Sequence, residues 1–376
     1  MRTAIVSDLH LGSAFGEDLL RDAEIRRLLL AEIEPADRLV LLGDALELRE
    51  LPLAPVLEAV RPFFEDLGEA MVGGEILLVA GNHDHRLIEP LLEEMALAGE
   101  PLGLEHRAEP VVQPLTQIAA WLGGANLSLA YPGAWLREDV YVTHGHYMDC
   151  HMSLPRMECL AVAAMMRAFG PLPHPAAPED YERLLRPIYG FSFGLAQSGL
   201  AHRATRPSER AWRAISKSNG GDNGRIGRRV RGAAFDAGVP ATVWALNRLL
   251  RAEFSPDLSA AAISHSGVVA ATELARRLQL NATHILTGHT HRAGPRPDEA
   301  EWELPGGGRL HNTGSWIYAS AFHHPGRPPG PYWPGTVTWL EDNGPPRRVN
   351  LLADHPATEL AVIADGLRHS LQGPSR

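Results

Sequence analysis

The 376-residue sequence predicts an α/β fold. Three observations carry that prediction. Five short apolar runs each stop at a turn rich in aspartate, histidine or glycine. Amphipathic helical patterns lie between them. Every cluster of chemically capable side chains sits at the C-terminal end of one of those runs, where open α/β sheets gather their ligands.

The predicted strands are Thr3–Val6 before Ser7-Asp8-Leu9-His10, Leu39–Leu42 before Gly43-Asp44, and Ile76–Ala80 before Gly81-Asn82-His83-Asp84. Two more are Val140–Thr143 before His144-Gly145-His146 and His284–Thr287 before Gly288-His289-Thr290-His291. Runs this short and uniformly apolar suit strands buried on both faces. Three- and four-residue apolar spacing predicts helices over Leu19–Ile33, Val56–Leu67 and Val268–Leu280. Residues 150–261 contain no convincing strand. Helical stretches there are Leu154–Phe169, Glu179–Ile188, Ser208–Ile215 and Val239–Glu253, punctuated by proline and glycine. They predict a helical insertion, or cap, between two parts of a core formed by 1–149 and 262–353. Arg309–Asn312 and Thr336–Leu340 read as later strands, and 354–376 as a tail with one surface helix.

With 45% hydrophobic residues the chain is an ordinary globular one. A net charge of −10 argues against wholesale wrapping of nucleic acid. Two cysteines, Cys150 and Cys159, make no disulfide framework and no zinc-site spacing, which points to free thiols in a reducing compartment. No charged leader precedes the first strand and no stretch approaches the ~20 apolar residues of a spanning helix. The expected location is cytoplasmic.

The strand-end turns supply Asp8, His10, Asp44, Asn82, His144, His289 and His291. Carboxylate, amide oxygen and imidazole without thiolate suit Mn, Fe, Zn, Co or Ni, whereas Mg and Ca prefer oxygen-only shells. Two divalent ions would outweigh the charges of Asp8 and Asp44, leaving a site that attracts phosphate. Two ions about 3.5–4 Å apart can clamp the attacking and leaving oxygens of an in-line displacement. Any one of these histidines alone would be an ordinary structural residue, but a structural role does not explain a common register at five strand ends.

Asp8-x-His10, Gly43-Asp44, Gly81-Asn82-His83-Asp84, His144 and Gly288-His289-x-His291 resemble, in order and glycine context, the calcineurin-like metallophosphoesterases. The resemblance implies a four-layer αββα sandwich of two mixed sheets. It implies one metal held by Asp8, His10, Asp44 and His291, and a second, bridged through Asp44, held also by Asn82, His144 and His289. Manganese is the first expectation for both ions. His83 is implied to contact the phosphoryl group and protonate the leaving oxygen, and Glu47 either orients His83 or is a plain surface carboxylate. His144 is preferred to His146 as ligand because relatives use the histidine directly after the strand. Asp84 reads as a turn or cap residue, and His85, His146 and His151 as residues behind the ligands or on the surface. Asn312-Thr313-Gly314-Ser315-Trp316 resembles a family motif expected to pack beneath the site.

Gly43-Asp44-x-x-Glu47 and the insertion are similar to the UDP-diacylglucosamine pyrophosphatase branch, although Gly145-His146 stands where that branch has Gly-Asp. The expected activity is hydrolysis of a phosphoester or pyrophosphate in a small-molecule or lipid-linked substrate. A nucleic-acid or cyclic-nucleotide phosphodiesterase, or a metal-binding scaffold without activity, are the alternatives. Residues 201–231 carry nine basic side chains against Glu209 and Asp222. This block is read either as a solvated helical face or as a surface for a polyanionic substrate (Arg225, Arg228 and Arg229 among its contacts) or an anionic membrane.

Overall fold

The computed structural model describes residues 1–199, 225–257, 259–297, 299–300, 302–304, 306–320, 323 and 329–372, without the side chains of 225–237, 260–261 and 371–372. The expected helix Ser208–Ile215 and the basic residues Arg203 to Lys217 lie outside the described residues. So do the side chains of Arg225, Arg228, Arg229 and Arg231.

Strands β1 (Thr3–Val6), β2 (Arg38–Leu42), β3 (Glu75–Val79) and β5 (Asn126–Tyr131) pair in parallel. β4 (His106–Ala108) closes one edge, and β11 (Thr336–Leu340) and β12 (Arg347–Asn350) close the other, all antiparallel. The order of this seven-stranded sheet is β12-β11-β1-β2-β3-β5-β4. The second sheet contains β6 (Gly133–Arg137), β7 (Val140–Thr143), β8 (His284–Thr287), β9 (Trp302–Glu303) and β10 (Arg309–Asn312), in the order β6-β7-β8-β10-β9.

Strand side chains alternate between faces, so the sheets are built by residues apolar at both parities. Val40, Leu42, Leu77 and Val79 meet Val140, Val142 and Leu286 between the sheets. Leu39, Leu41, Ile76 and Leu78 face outward onto helices α1 (Ala23–Ile33), α2 (Leu53–Ala70), α3 (Glu89–Ala98) and α4 (Leu115–Leu122). Two packed sheets with helices outside them make the expected four-layer sandwich. Each fully buried Val or Leu contributes about 1.5–3 kcal/mol, and a charged residue at Val40 would break the inter-sheet layer.

Several helices start elsewhere than the periodicity suggests; the one expected over Val268–Leu280 runs from Ala260 to Arg277. The Leu19–Ile33 pattern breaks at Asp22, whose carboxylate caps α1 by accepting from the Glu24 and Ile25 amides; a single 3-10 turn, Leu19–Arg21, precedes it. The inserted segment is helical: α5 (Met157–Phe169), α6 (Pro178–Gln197) and α7 (Arg225–Leu250), the last starting well before Val239 and running through Pro240. Helix α8 (Ala260–Arg277) then leads into β8. No helix among the described residues is long and apolar enough to cross a membrane. The closing helix α9 (Ala357–Gln372) buries Leu360 and Ala364 against the outer face of the first sheet.

The inserted helices share one apolar cluster with the core. Val162, Tyr181, Leu184 and Val243 pack with Ala270 and Leu274 of α8 and with Ile285 and Leu310 of the second sheet. A buried polar knot fastens α6 further. Glu182 accepts hydrogen bonds from the hydroxyls of Tyr131 and Tyr147 (2.6 Å for the latter) and lies 3.0 Å from His85 Nε2. Burial alone would lower the His85 imidazole, but Glu182 and Glu89 outweigh it and raise it to about 9. The pair is therefore ionised and almost fully buried. Glu182→Ala leaves His85 with Glu89 alone, 3.3 Å from its Nδ1, and takes the acceptor from two buried tyrosine hydroxyls, so it is expected to lower the unfolding free energy by about 2–3 kcal/mol, read by urea denaturation. A loss no larger than that of an exposed pair would show that the knot does not hold the cap.

Candidate metal centre

Five turns converge beyond the strand ends, and their backbones are strained to do so. Among the described residues seven non-glycine residues have φ in the left-handed region. Five of them are Asp8, His10, Asp44, His289 and His291, with φ of 53°, 45°, 51°, 65° and 58°. Each such residue costs on the order of 1–3 kcal/mol and persists only where its surroundings over-determine it. Here the turns tie one another down. Asp8 N donates to Gly43 O at 3.1 Å, His10 N to Asp44 O at 2.8 Å and Gly288 N to His144 O at 3.0 Å.

Two glycines are needed for the close approach. A Cβ on Gly81 would collide with Asp44 Oδ1 and the His144 ring, and one on Gly288 with Asp8 Oδ2.

The side chains meet in two groups that share a border at Asp44. In the first, His291 Nε2 lies 3.2 Å from both Asp8 Oδ1 and His10 Nε2, and His10 Nε2 is 3.7 Å from Asp44 Oδ2. In the second, His144 Nε2 is 3.1 Å from Asp44 Oδ2 and 3.2 Å from Asn82 Oδ1, which is itself 3.1 Å from His289 Nδ1. All seven expected ligands are thus together, and only His291 of the seven is more than slightly exposed.

These are lone pairs facing lone pairs. His144 Nδ1 lies 3.1 Å from Leu42 O and His10 Nδ1 3.0 Å from Glu47 Oε2, so donation there leaves each Nε2 facing the centre, where a metal would displace its proton. His289 Nε2 donates to Asp149 Oδ1 at 2.9 Å, turning its Nδ1 lone pair inward. Such donor-to-carboxylate bonds are the ordinary way a protein orients metal-binding imidazoles.

Asn82 carries the same message. With its amide reversed it would hydrogen-bond to Asp44, His144, His289 and Arg49; with Oδ1 inward it offers an oxygen that a cation among these groups would bind. Donor separations of 3.1–3.7 Å also match the edges of a polyhedron with bonds of about 2.1 Å. Burial alone would lower His10 and His144, yet the surrounding carboxylates raise them to about 10 and about 9. The pocket demands positive charge. The residues fit two divalent ions: Asp8, His10 and His291 could hold one and Asp44, His144 and His289 the other, with Asn82 Oδ1 beside the second and His10, Asp44 and His83 grouped between them.

His83 stands at the rim, about a quarter exposed, with Nδ1 2.5 Å from Glu47 Oε2 and its backbone N–H on Asp44 Oδ1 at 2.8 Å. Glu47 is not a surface carboxylate: it is buried and serves His10 and His83 with one oxygen. Burial would raise its pKa, but His83 and His10 hold it far below the usual carboxylate range. Asp84 clamps the turns by accepting from the amides of Gly81, Ala45 and Leu46. His146 points away from the ligand group, with Nε2 3.1 Å from the Tyr131 hydroxyl. The Asn312–Trp316 segment does lie beneath: Asn312 Nδ2 donates to Gly288 O, Thr313 Oγ1 meets Ser7 Oγ at 2.7 Å, and Ser7 donates to Asp8 Oδ2 at 2.6 Å.

Residues 1–186 match the family model of the calcineurin-like phosphoesterases. The chain carries that family's domain. It is a metal-dependent phosphoric ester hydrolase, and the phosphoesterase sandwich extends beyond the matched stretch, since β8 to β12 and the ligand pair His289 and His291 come from later residues. No curated protein matches the sequence. Two crystal structures align over 93% of this chain and 78% of theirs: a point mutant of a cold-active protein tyrosine phosphatase (16% identity, TM-score 0.32) and the cold-active protein-tyrosine phosphatase of a psychrophilic Shewanella (14%, 0.29). Likeness at that level does not bear on this phosphoesterase's substrate.

Several residues at the centre carry no motif. Asp149, five residues after His144, and Arg49, five after Asp44, reach it only because the turn 146–150 and the loop after β2 fold back on it. Losing the Asp149 carboxylate frees the His289 ring to rotate and change tautomer. Asp149→Ala is expected to weaken divalent-metal affinity about 10–100-fold, measured by competition with a chromophoric chelator. Unchanged affinity would mean that His289 is held by other contacts.

Proposed function

We propose that the chain is a dinuclear-metal phosphoesterase acting on a small-molecule or lipid-linked phosphoester or pyrophosphate. The observation that carries the reading is the pair of lone-pair clusters sharing Asp44, with a Glu47-held histidine at their open rim. When bound, two divalent ions would supply a nucleophilic hydroxide at neutral pH and neutralise the charge that develops on phosphorus-bound oxygens. Manganese is our first choice because the donor set mixes carboxylate, amide and imidazole without thiolate; Fe, Zn, Co and Ni share that preference.

The chain's own residues do the rest. Glu47 accepts the Nδ1 proton of His83, which fixes the ring and presents Nε2 to the rim. A proton held at His83 Nε2 is positioned for the oxygen that leaves phosphorus, and Glu47 stabilises the imidazolium that carries it. The burial of Asp8, Asp44 and Asn82 keeps water from competing for the ligand atoms. In this reading 1–149 and 262–353 are the catalytic body, 150–261 a cap over the rim and 354–376 a tail.

The basic block at 201–231 supports a polyanionic substrate or an anionic membrane surface near the cap, and the location we assign is cytoplasmic. A nucleic-acid substrate is disfavoured by the overall charge of −10.

Hydrolysis of bis-(p-nitrophenyl) phosphate and p-nitrophenyl phosphate by protein reconstituted with Mn tests the reading. Turnover is expected to vanish with EDTA and in Asp44→Asn. In His83→Ala kcat is expected to fall by about 10²–10⁴ with metal content retained. A His83→Ala protein as fast as the wild type would remove His83 from the mechanism. No turnover with any of the metals, in folded and loaded protein, would favour the scaffold alternative.

A further inference from the structure

The seam between the cap and the metal centre holds three charged side chains that the reaction described above does not use. Arg49 comes from the core, after Asp44 and Glu47. With Asn82 Oδ1 turned to the centre, one end of its guanidinium, Nη1, faces the Asn82 Nδ2 group and finds no acceptor there, while the other, Nη2, lies 3.4 Å from Glu158 Oε1 in the first turn of α5. A single guanidinium therefore spans from an expected metal ligand to the cap.

Its ion pair with Glu158 is a loose one. Charge-assisted N–H···O bonds settle at about 2.7–2.9 Å, and both side chains keep some exposure, 17% for Arg49 and 23% for Glu158. Burial would raise the Glu158 carboxyl, but Arg49 and Arg156 outweigh it and hold it at about 2, with His83 acting in the same direction. Glu158 is thus a fixed negative charge near the rim where His83 stands.

Arg156, at the N-cap of α5, is accessible, yet its guanidinium has no hydrogen bond or ion pair among the described residues. It lines a small cleft together with Thr290, the residue between His289 and His291, and with Arg292 and Tyr332. Protein surrounds it closely although water reaches it, as expected for a side chain projecting into a cleft. An accessible, unpaired arginine beside the ligand turn and a loosely paired one next to Asn82 leave guanidinium donors for an anion at the centre. Arginine's planar fork suits phosphate oxygens better than a carboxylate held off at 3.4 Å.

We propose that Arg49, Arg156 and Glu158 form a charge-selective clamp, in which Glu158 holds Arg49 in the free protein and yields it to the oxygens of a phosphoryl group. The clamp rests on the phosphoesterase reading and names what that reading leaves open, the charge of the preferred ester. Arg49 and Arg156 bind the phosphoryl oxygens. Glu158 is a positioning residue that also repels, and its repulsion grows with the charge of the incoming group. Glu158 therefore offsets part of the advantage that the two arginines give a doubly charged terminal phosphate, and moves the preference toward a singly charged diester or pyrophosphate linkage.

The test is calorimetric titration of inorganic phosphate into the Mn-loaded full-length chain, together with kcat/KM for p-nitrophenyl phosphate and its bis ester. Glu158→Gln is expected to bind phosphate about fivefold more tightly and to raise the monoester-to-diester ratio by a similar factor. Arg156→Ala is expected to bind phosphate about tenfold more weakly and to lower that ratio. Arg49→Lys, which keeps the charge but loses the fork, falls between the wild type and Arg49→Ala. Metal content is measured for each variant. Unchanged phosphate affinity in both Glu158→Gln and Arg156→Ala, with the metal content of the wild type, overturns the clamp even if both esters are hydrolysed. Shifts in phosphate affinity as stated, in a protein that hydrolyses neither ester, uphold the clamp while refuting the proposed activity.

Discussion

Buried lone pairs repel, and the centre of this protein is built from them. Asp8, Asp44, Asn82 and four imidazoles aim potential ligand atoms at one another across 3.1–3.7 Å, inside a sandwich that excludes most water. Neither protonation of the imidazoles nor reversal of Asn82 suits such a cluster as well as divalent cations do. The rest of the site follows from that demand. Outer partners must hold every ring in the correct tautomer, so Leu42 O, Glu47 and Asp149 each take an N–H proton. Glycines must stand where a Cβ would enter the cluster. Five ligands must adopt left-handed backbone, and only the mutual hydrogen bonding of the turns keeps them there.

The same economy of charge continues outward. Glu47 serves the candidate ligand His10 and the rim residue His83 with one oxygen, so the two histidines share an orienting carboxylate. The next ring, Arg49, Arg156 and Glu158, lies where the cap meets the core. The cap itself is not an independent unit: its apolar residues join the cluster over the second sheet, and Glu182 ties α6 to His85 and two core tyrosines. Among the described residues, the inserted helices carry none of the clustered candidate ligands.

Much of this was legible in the amino-acid order. The strands at Thr3–Val6, Val140–Thr143, His284–Thr287 and Thr336–Leu340 lie where the sequence placed them, because strands buried on both faces are largely apolar along their length; Arg309–Asn312 also lies where expected although only Leu310 and Asn312 are buried in it. The elements that escaped notice lack that pattern. β4 and β12 are short edge strands carrying His106, Arg107, Arg347 and Arg348; β5 alternates through Asn126 and Ser128; α3 and α4 are short. Edge strands need no continuous apolar run, since part of each faces water.

What the sequence determined by itself is the list of ligands and their chemistry, because a metal-binding turn at a strand end leaves a compact local signature. Asp8 to His291 could be named from residue type and register alone. What only the tertiary structure decided is everything held by contacts between distant segments. The burial of Glu47 and the placing of Asp149, Arg49 and Glu158 around the centre depend on segments separated by as many as 140 residues. A side chain's partners across such distances follow from the packing of the sheets, and no local spacing records them.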